Sequence, residues 1–367
     1  MSAPQEPPLK NVLVADFTTL LPGPVATLML AEAGAEVIKV EKPGGEDMRA
    51  YPPQWDGVSA AFAMLNRGKK SLVVDLRTEE GRKAARDLAA RADVLVEQFR
   101  PGVMAKHGLG YDELSKINPK LIYCSITGYG QEGPKRDEAG HDLNYIGSTG
   151  LLSVAPGPAD RPVVPPALIA DIGGGTFPAV TNILLALIAR GKSGKGTYID
   201  VAMADAMFTF CWMALATLHA TGKEPGPASL STSGGSPRYQ IYPTRDGKFV
   251  CCGALEQKFW MAFCGVIGLP QELTNDFKNP EATKHAVREI IAKETAAHWK
   301  PKFAAADCCV TIMATLEEAL ADEHFVKRGL FTEKIASGAG DKTIPALPIP
   351  ISPVFRATGA RSYPRIK

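Results

Sequence analysis

The chain has 367 residues, 45% hydrophobic and 22% charged, an ordinary globular composition that excludes a disordered or low-complexity protein. Its length exceeds one compact domain, so two domains, or one large domain with an insertion, are expected. The 41 basic and 39 acidic residues leave a formal net charge of +2, which excludes a global field that draws nucleic acid or an anionic membrane; any anion has to be bound locally.

Residues 2–9 form a polar, proline-rich lead-in. The apolar run Asn11–Asp16 suits a buried strand, Pro22-Gly23-Pro24 turns into a helix over Val25–Glu32 that Gly34 closes, and Val37–Val40 returns as a strand. This unit ends on Glu41, about where a dinucleotide fold holds its ribose. Yet Leu20–Leu28 offers one glycine where a pyrophosphate turn needs three, which argues against a nicotinamide dehydrogenase. Strands over Ser71–Leu76, Val94–Val96 and Leu121–Ile126 then alternate with helices over Glu79–Arg91 and Tyr111–Ile117. That alternation predicts a parallel sheet covered on both faces. A long apolar helix over Gly173–Ala189, a strand over Tyr198–Val201 and a buried helix over Ala202–Ala220 complete a large domain spanning 1–220.

Thr221–Pro237 is rich in Gly, Pro and Ser and reads as a seam. A smaller unit follows over 221–325: two short strands around Arg245-Asp246-Gly247, then helices near Gln257–Ile267 and Glu281–Ala305. Residues 326–367, with an extended proline-rich stretch at Ile344–Pro353, return to the large domain. The seven cysteines are odd in number, scattered and without a C-x-x-C pair. With no signal peptide opening the chain, they read as buried thiols of a cytoplasmic protein. Apolar stretches such as Phe177–Ala189 are too short to span a bilayer. His141 and Asp142 are adjacent, without an accompanying His or Cys cluster, so no metal site is expected.

Several collinear segments resemble family III coenzyme A transferases, a family that also contains the α-methylacyl-CoA racemases. They are Val14–Phe17 with Pro22–Pro24, Gly34–Glu41, Asn66–Ser71, Ala92–Gly102, Asn118–Tyr123, Ser193–Gly196 and Thr315–Ala319. The resemblance implies an α/β fold, with a Rossmann-like large domain, a smaller α+β domain, and two chains threaded as an interlocked homodimer.

It also implies a site. Asp171, in Ala170–Gly175, is the family aspartate. In transferases it attacks the thioester and carries the acyl group as an anhydride; in racemases it is an acid or base facing a histidine across the α-carbon. Ala139–Tyr145 resembles the racemase motif and supplies His141, with Asp142 and Tyr145 as supports. Gly253–Glu256 supplies Glu256, which would fix the tautomer of that histidine. Gly234–Tyr239 is also racemase-like. Asp171 at a helix start would gain from free N–H groups, and the following glycines would let the thioester approach. Ala167, where racemases carry asparagine, and Leu21, where the formyl-CoA transferases carry glutamine, depart from either pattern.

For coenzyme A itself, the resemblance places Lys42, Lys69, Lys70 and Lys106 toward the phosphates, with Leu20, Gln98 and Phe99 against nucleotide and pantetheine. The expectation is an enzyme that epimerises a 2-methylacyl-CoA by two-base proton transfer through His141 and Asp171. The alternative is a CoA-transferase acting through an anhydride at Asp171, and a catalytically dead CoA-binding module is a third. No cofactor is expected beyond the coenzyme A of the acyl-CoA substrate, and no nucleic-acid or membrane partner.

Overall fold

The computed structural model describes residues 6–157, 161–337, 340–357 and 361–366; residues 2–5 of the lead-in lie outside the described residues. The chain divides into two units. One comprises 1–149, 166–209 and 324–367, and the other 150–165 and 210–323. The first boundary therefore falls eleven residues or so before the expected one at 220, and a stretch expected in the large domain, 150–165, belongs with the smaller unit.

The larger unit is built on six parallel strands: β1 (Leu13–Phe17), β2 (Glu36–Glu41), β3 (Lys70–Val73), β4 (Val94–Glu97), β5 (Ile122–Thr127) and β6 (Thr197–Ala202). Their order is β3-β2-β1-β4-β5-β6, that of the doubly wound dinucleotide folds. Val14 pairs with Val37 on one side and Val94 on the other. Every residue of β4 and β5 is buried, which explains why Val94–Val96 and Ile122–Cys124 are apolar without alternation: central parallel strands are covered on both faces. The order reverses between β1 and β4, which opens a crevice at the carboxyl ends of those strands.

Helices of this unit include α1 (Pro22–Glu32), α2 (Ala60–Asn66), α3 (Glu79–Arg91), α4 (Val103–Lys106), α5 (Tyr111–Ile117), α6 (Asp142–Ser148) and α7 (Phe177–Ser193). All of α1 is buried. In α3, Thr78 caps the Gly81 N–H at 3.0 Å, two glutamates follow in the first turn, and Arg91 lies in the last, in agreement with the helix dipole. A π-helical segment, Ala170–Thr176, leads directly into α7. Together they make a 24-residue helix, Ala170–Ser193, containing an 18-residue window of mean hydropathy 1.6. That length and composition suffice to cross a membrane, so the expectation that the stretch is too short does not hold. One side of α7, including Ala179, Val180, Ile183 and Ala186, is nevertheless buried.

Past α8 (Met207–Phe210) and α9 (Trp212–Thr221), the smaller unit has three antiparallel strands, β7 (Tyr239–Pro243), β8 (Phe249–Gly253) and β9 (Val310–Ile312), with β8 central. Helices α10 (Gln257–Ile267), α11 (Pro280–Ile291) and α12 (Ala296–Ala306) accompany them. The single helix expected over Glu281–Ala305 is two, because Thr295 caps a new helix start through the His298 N–H. Likewise the helix expected over Ala202–Ala220 is broken at Cys211, and α9 has no buried residue. Trp260, Phe263, Val287, Trp299 and Phe303 form the core of this unit. Five of the seven cysteines are buried, Cys251 is half-buried and Cys309 is exposed, contrary to the expectation of seven buried thiols.

Candidate active site

A cavity of about 440 Å³ opens at the carboxyl ends of β1, β4 and β5, and every residue lining it belongs to the larger unit. Leu20 and Pro22 enter from the loop after β1, Gln98–Pro101 from the loop after β4, and Ile126–Gly128 from the end of β5. Residues 138–141 with Arg136, then Asn144, Tyr145, Asp171 and Met203, complete it. Leu20 adopts a left-handed φ of 61°, a conformation uncommon outside glycine. Its N–H is held by Glu46 Oε2 at 3.0 Å. The Gln98 Oε1 accepts the Gly23 N–H at 3.1 Å, tying the two loops across the crevice.

Asp171 and His141 line this one cavity. Burial pushes the Asp171 carboxyl up to about 6, the neighbouring Asp142 charge adds to that, and His141 opposes it. Asp142 is buried, and its Oδ1 accepts the Asp171 N–H at 2.9 Å. The N–H expected to be free for an enolate is therefore already taken. The next one, of Ile172, donates to Leu168 O. The glycines have a different reason as well. A Cβ on Gly174 would stand 2.4 Å from Met203 O, and one on Gly175 would stand 2.9 Å from Pro22 Cβ. At these two positions the missing side chain admits the protein's own backbone and core, not a thioester.

His141 is exposed and is the N-cap of α6, its N–H bonded to Asn144 Oδ1 at 3.0 Å. The loop before it is clamped by Tyr145, whose hydroxyl donates to Gly140 O. That ring leaves no room for side chains beside it: a Cβ would lie 2.4 Å from it at Gly128 and 2.6 Å at Gly140. An edge contact with Tyr129, 5.3 Å between centroids, completes the clamp.

The expected coenzyme A residues divide. Leu20, Gln98 and Phe99 line the cavity. Lys42 and Lys70 are exposed and paired with Asp47 at 2.5 Å and Glu36 at 2.6 Å, and Lys106 is exposed at the end of α4. Lys69 does not fit a ligand role: its side chain is fully buried, with Nζ bonded to Asp16 Oδ2, Pro24 O, Thr27 Oγ1 and Asn66 Oδ1 at 2.8–3.1 Å. An ammonium has three protons, so none is left for a phosphate.

Glu256 lies in the smaller unit, exposed, as the N-cap of α10. Its turn is braced by buried Arg238, which donates to Leu255 O at 3.0 Å, Gln257 Oε1 at 2.8 Å and both oxygens of Asp276. In the sequence Arg238 is visible only as part of the Gly234–Tyr239 motif, and Asp276 has no signal of its own. Arg100, Arg136 and Glu138 on the cavity wall are also absent from the expected site. Arg100 stands in the Phe99-Arg100-Pro101 motif and could have been found there; the other two sit in a charged loop that reads as solvated surface. Among the described residues, no group of three His, Cys, Asp or Glu could hold a metal ion.

The model of CoA-transferase family III matches residues 9–365. The chain is 36% identical to the α-methylacyl-CoA racemase of Mus musculus over 88% of this chain and 82% of that protein. It is 38% identical to the acetyl-CoA:oxalate CoA-transferase of Acetobacter aceti over 80% and 77%. A solved CAIB/BAIF family protein from Brucella suis is 33% identical, with a TM-score of 0.78 over 97% of this chain and 94% of that one. Racemase and transferase stand at similar identity, so these likenesses do not select the racemase branch to which the motifs around His141 and Glu256 pointed.

Proposed function

The chain belongs to CoA-transferase family III, and on that premise we propose an enzyme that moves coenzyme A between an acyl-CoA and a free carboxylate, with Asp171 as nucleophile. The observation that carries this reading is the placement of Asp171: half-buried, on the wall of the cavity at the strand ends, with its carboxyl drawn up to about 6. A carboxylate of raised basicity that is still ionised at neutral pH suits attack on a thioester carbonyl. The thiolate leaves and the acyl group stays on Asp171 as a mixed anhydride. The thiolate then attacks the aspartyl carbonyl and expels the first carboxylate. The incoming carboxylate attacks the resulting aspartyl thioester to give a second anhydride, and the thiolate released in that step attacks its acyl carbonyl, forming the new acyl-CoA and freeing the Asp171 carboxylate. Leu20, Gln98 and Phe99 serve the pantetheine and nucleotide, and Lys42, Lys70 and Lys106 are candidates for the phosphates. No cofactor beyond coenzyme A is required.

A second reading, epimerisation of a 2-methylacyl-CoA, is favoured by one observation: His141 lines the same cavity as Asp171, as two-base proton transfer requires. In either reading we infer a cytoplasmic homodimer, interlocked as the family resemblance implies. In the larger unit Leu185 and Ile188 on α7 are 57% and 63% exposed, and in the smaller unit Trp212 on α9 is 64% exposed, so each unit by itself shows apolar side chains suited to a second copy.

The experiment incubates a 2-methylacyl-CoA with the protein in deuterated water, with and without a free carboxylic acid. A new thioester formed only with the acid, and no α-deuterium, supports transfer. Exchange at the α-carbon without acceptor supports epimerisation instead and overturns the first reading. Tight CoA binding with neither reaction would make the chain a binding module.

A further inference from the structure

Glu97 is the last residue of β4 and only 4% exposed. Its Oε2 accepts the Phe99 N–H at 2.8 Å, a bond that turns the chain out of the sheet within two residues. The consequences of that turn lie on the cavity wall: Gln98 reaches across to the Gly23 N–H, and Phe99, Arg100 and Pro101 face the cavity. Glu97 is also bonded to Ser125, whose Oγ accepts from Tyr198 Oη at 3.1 Å.

A strand end that needed only an acceptor for one N–H could use a neutral side chain; a buried carboxylate is costly unless paired. The groups facing this one do not pair it. From β5 come Tyr123 and Cys124, from β6 Tyr198 and Asp200, and the β1 residue in register is Phe17. The charged neighbour acting on Glu97 is thus another acid, Asp200, and burial with that charge pushes the carboxyl up to about 7.

We propose that Glu97 is a positioning residue for the acyl-CoA site, its carboxylate holding the Phe99 N–H and thereby setting the wall at residues 98–101 that grips the ligand. The proposal rests on the acyl-CoA reading above. Ionised, the carboxylate is the stronger acceptor, so the grip tightens as pH rises through neutrality.

Two variants separate this from a passive strand cap. Glu97→Gln keeps an acceptor and loses the ionisation; Glu97→Ala loses both. KM and kcat for acyl-CoA are measured across neutral pH, and amide hydrogen exchange is measured, without substrate, in the peptide containing Phe99. In the wild type KM falls through an inflection near neutrality. In Glu97→Gln the inflection is gone and KM stays within about threefold, while Glu97→Ala raises KM roughly tenfold with kcat little changed, as losing a bond to a charged acceptor implies. Exchange at Phe99 quickens in the Ala variant and only slightly in Gln. An inflection retained in Glu97→Gln, or exchange at Phe99 unchanged in Glu97→Ala, overturns the proposal. A wild type that neither binds nor converts any acyl-CoA defeats the acyl-CoA reading instead, and the Phe99 exchange then still decides whether Glu97 sets the wall.

Discussion

Adjacent strands β1 and β4 both end near a buried carboxylate, and the two are treated in opposite ways. Asp16 has no exposed surface and is surrounded by donors: Lys69 Nζ at 3.1 Å, Thr18 Oγ1 at 2.6 Å and Thr27 Oγ1 at 2.7 Å. Burial works against its charge, but Lys69, Lys39 and the hydrogen bonds from Thr18 and Thr27 together outweigh it and hold the carboxyl down at about 2. Burial also draws Lys69 down to about 8, so near pH 7 the pair remains ionised on both sides. Glu97 has an acid for its charged neighbour and is pushed up instead. The difference separates foundation from wall: the neutralised end anchors the loop and helix behind the crevice, and the unneutralised end sets the segment that faces it.

The sharpest way to break this contrast is to remove the cation from one side. Lys69→Met leaves Asp16 buried without its ion-pair partner, and loss of one member of a buried pair costs about 3–5 kcal/mol. Urea denaturation at neutral pH should show that loss, with no measurable change for Lys42→Met or Lys70→Met, whose pairs are exposed. If Lys69→Met is as stable as those controls and instead loses acyl-CoA affinity, Lys69 is a ligand after all.

The opposite substitution tests the other strand end. The folded carboxyl of Glu97 lies above its unfolded value, near 7 rather than 4.5. Its contribution to stability is therefore complete below about 4.5 and is lost as pH rises through about 7. The interval corresponds to roughly 3 kcal/mol. Glu97→Gln should gain about that much on the wild type between pH 4 and pH 8, read from denaturation midpoints at the two ends. A pH-independent difference would mean that Glu97 is neutralised by something other than its own protonation.

Much of this architecture was legible in the chain. The alternation from Leu13 to Ala202 gave the parallel sheet because central strands are buried on both faces and so mostly apolar, as Val94–Val96 and Ile122–Cys124 are. The boundary of the large domain was not legible. Trp212–Thr221 is apolar and reads as core, yet none of it is buried within this chain, and no local pattern tells an apolar face awaiting a partner from one packed inside. Lys69 misled for a related reason: Lys69 and Lys70 look identical in sequence, while the side chain of Lys69, just before β3, is in the core and that of Lys70, its first residue, is in solvent. The motif around His141 correctly drew attention to a residue of the cavity, but the Gly174 and Gly175 contacts with Met203 and Pro22 required coordinates.

Asp171 is the intermediate case, and it offers the smallest and most specific test. Like Glu97 it has an acid beside it, Asp142, but it also has His141 and an opening to the cavity. Whether it attacks a carbonyl or abstracts a proton, it must be ionised, so the rate should rise as pH passes about 6. Asp142→Asn retains an oxygen for the Asp171 N–H and deletes the like charge, which makes ionisation easier. The inflection should then move toward lower pH. It should not reach the ordinary aspartate range, because burial, the larger cause of the rise, is untouched. An inflection that stays in place would show that the two acids do not feel each other. One that falls fully to the ordinary range would show that Asp142, not burial, sets the basicity of Asp171, which would place it with Asp16 as a group whose neighbours prevail over its burial.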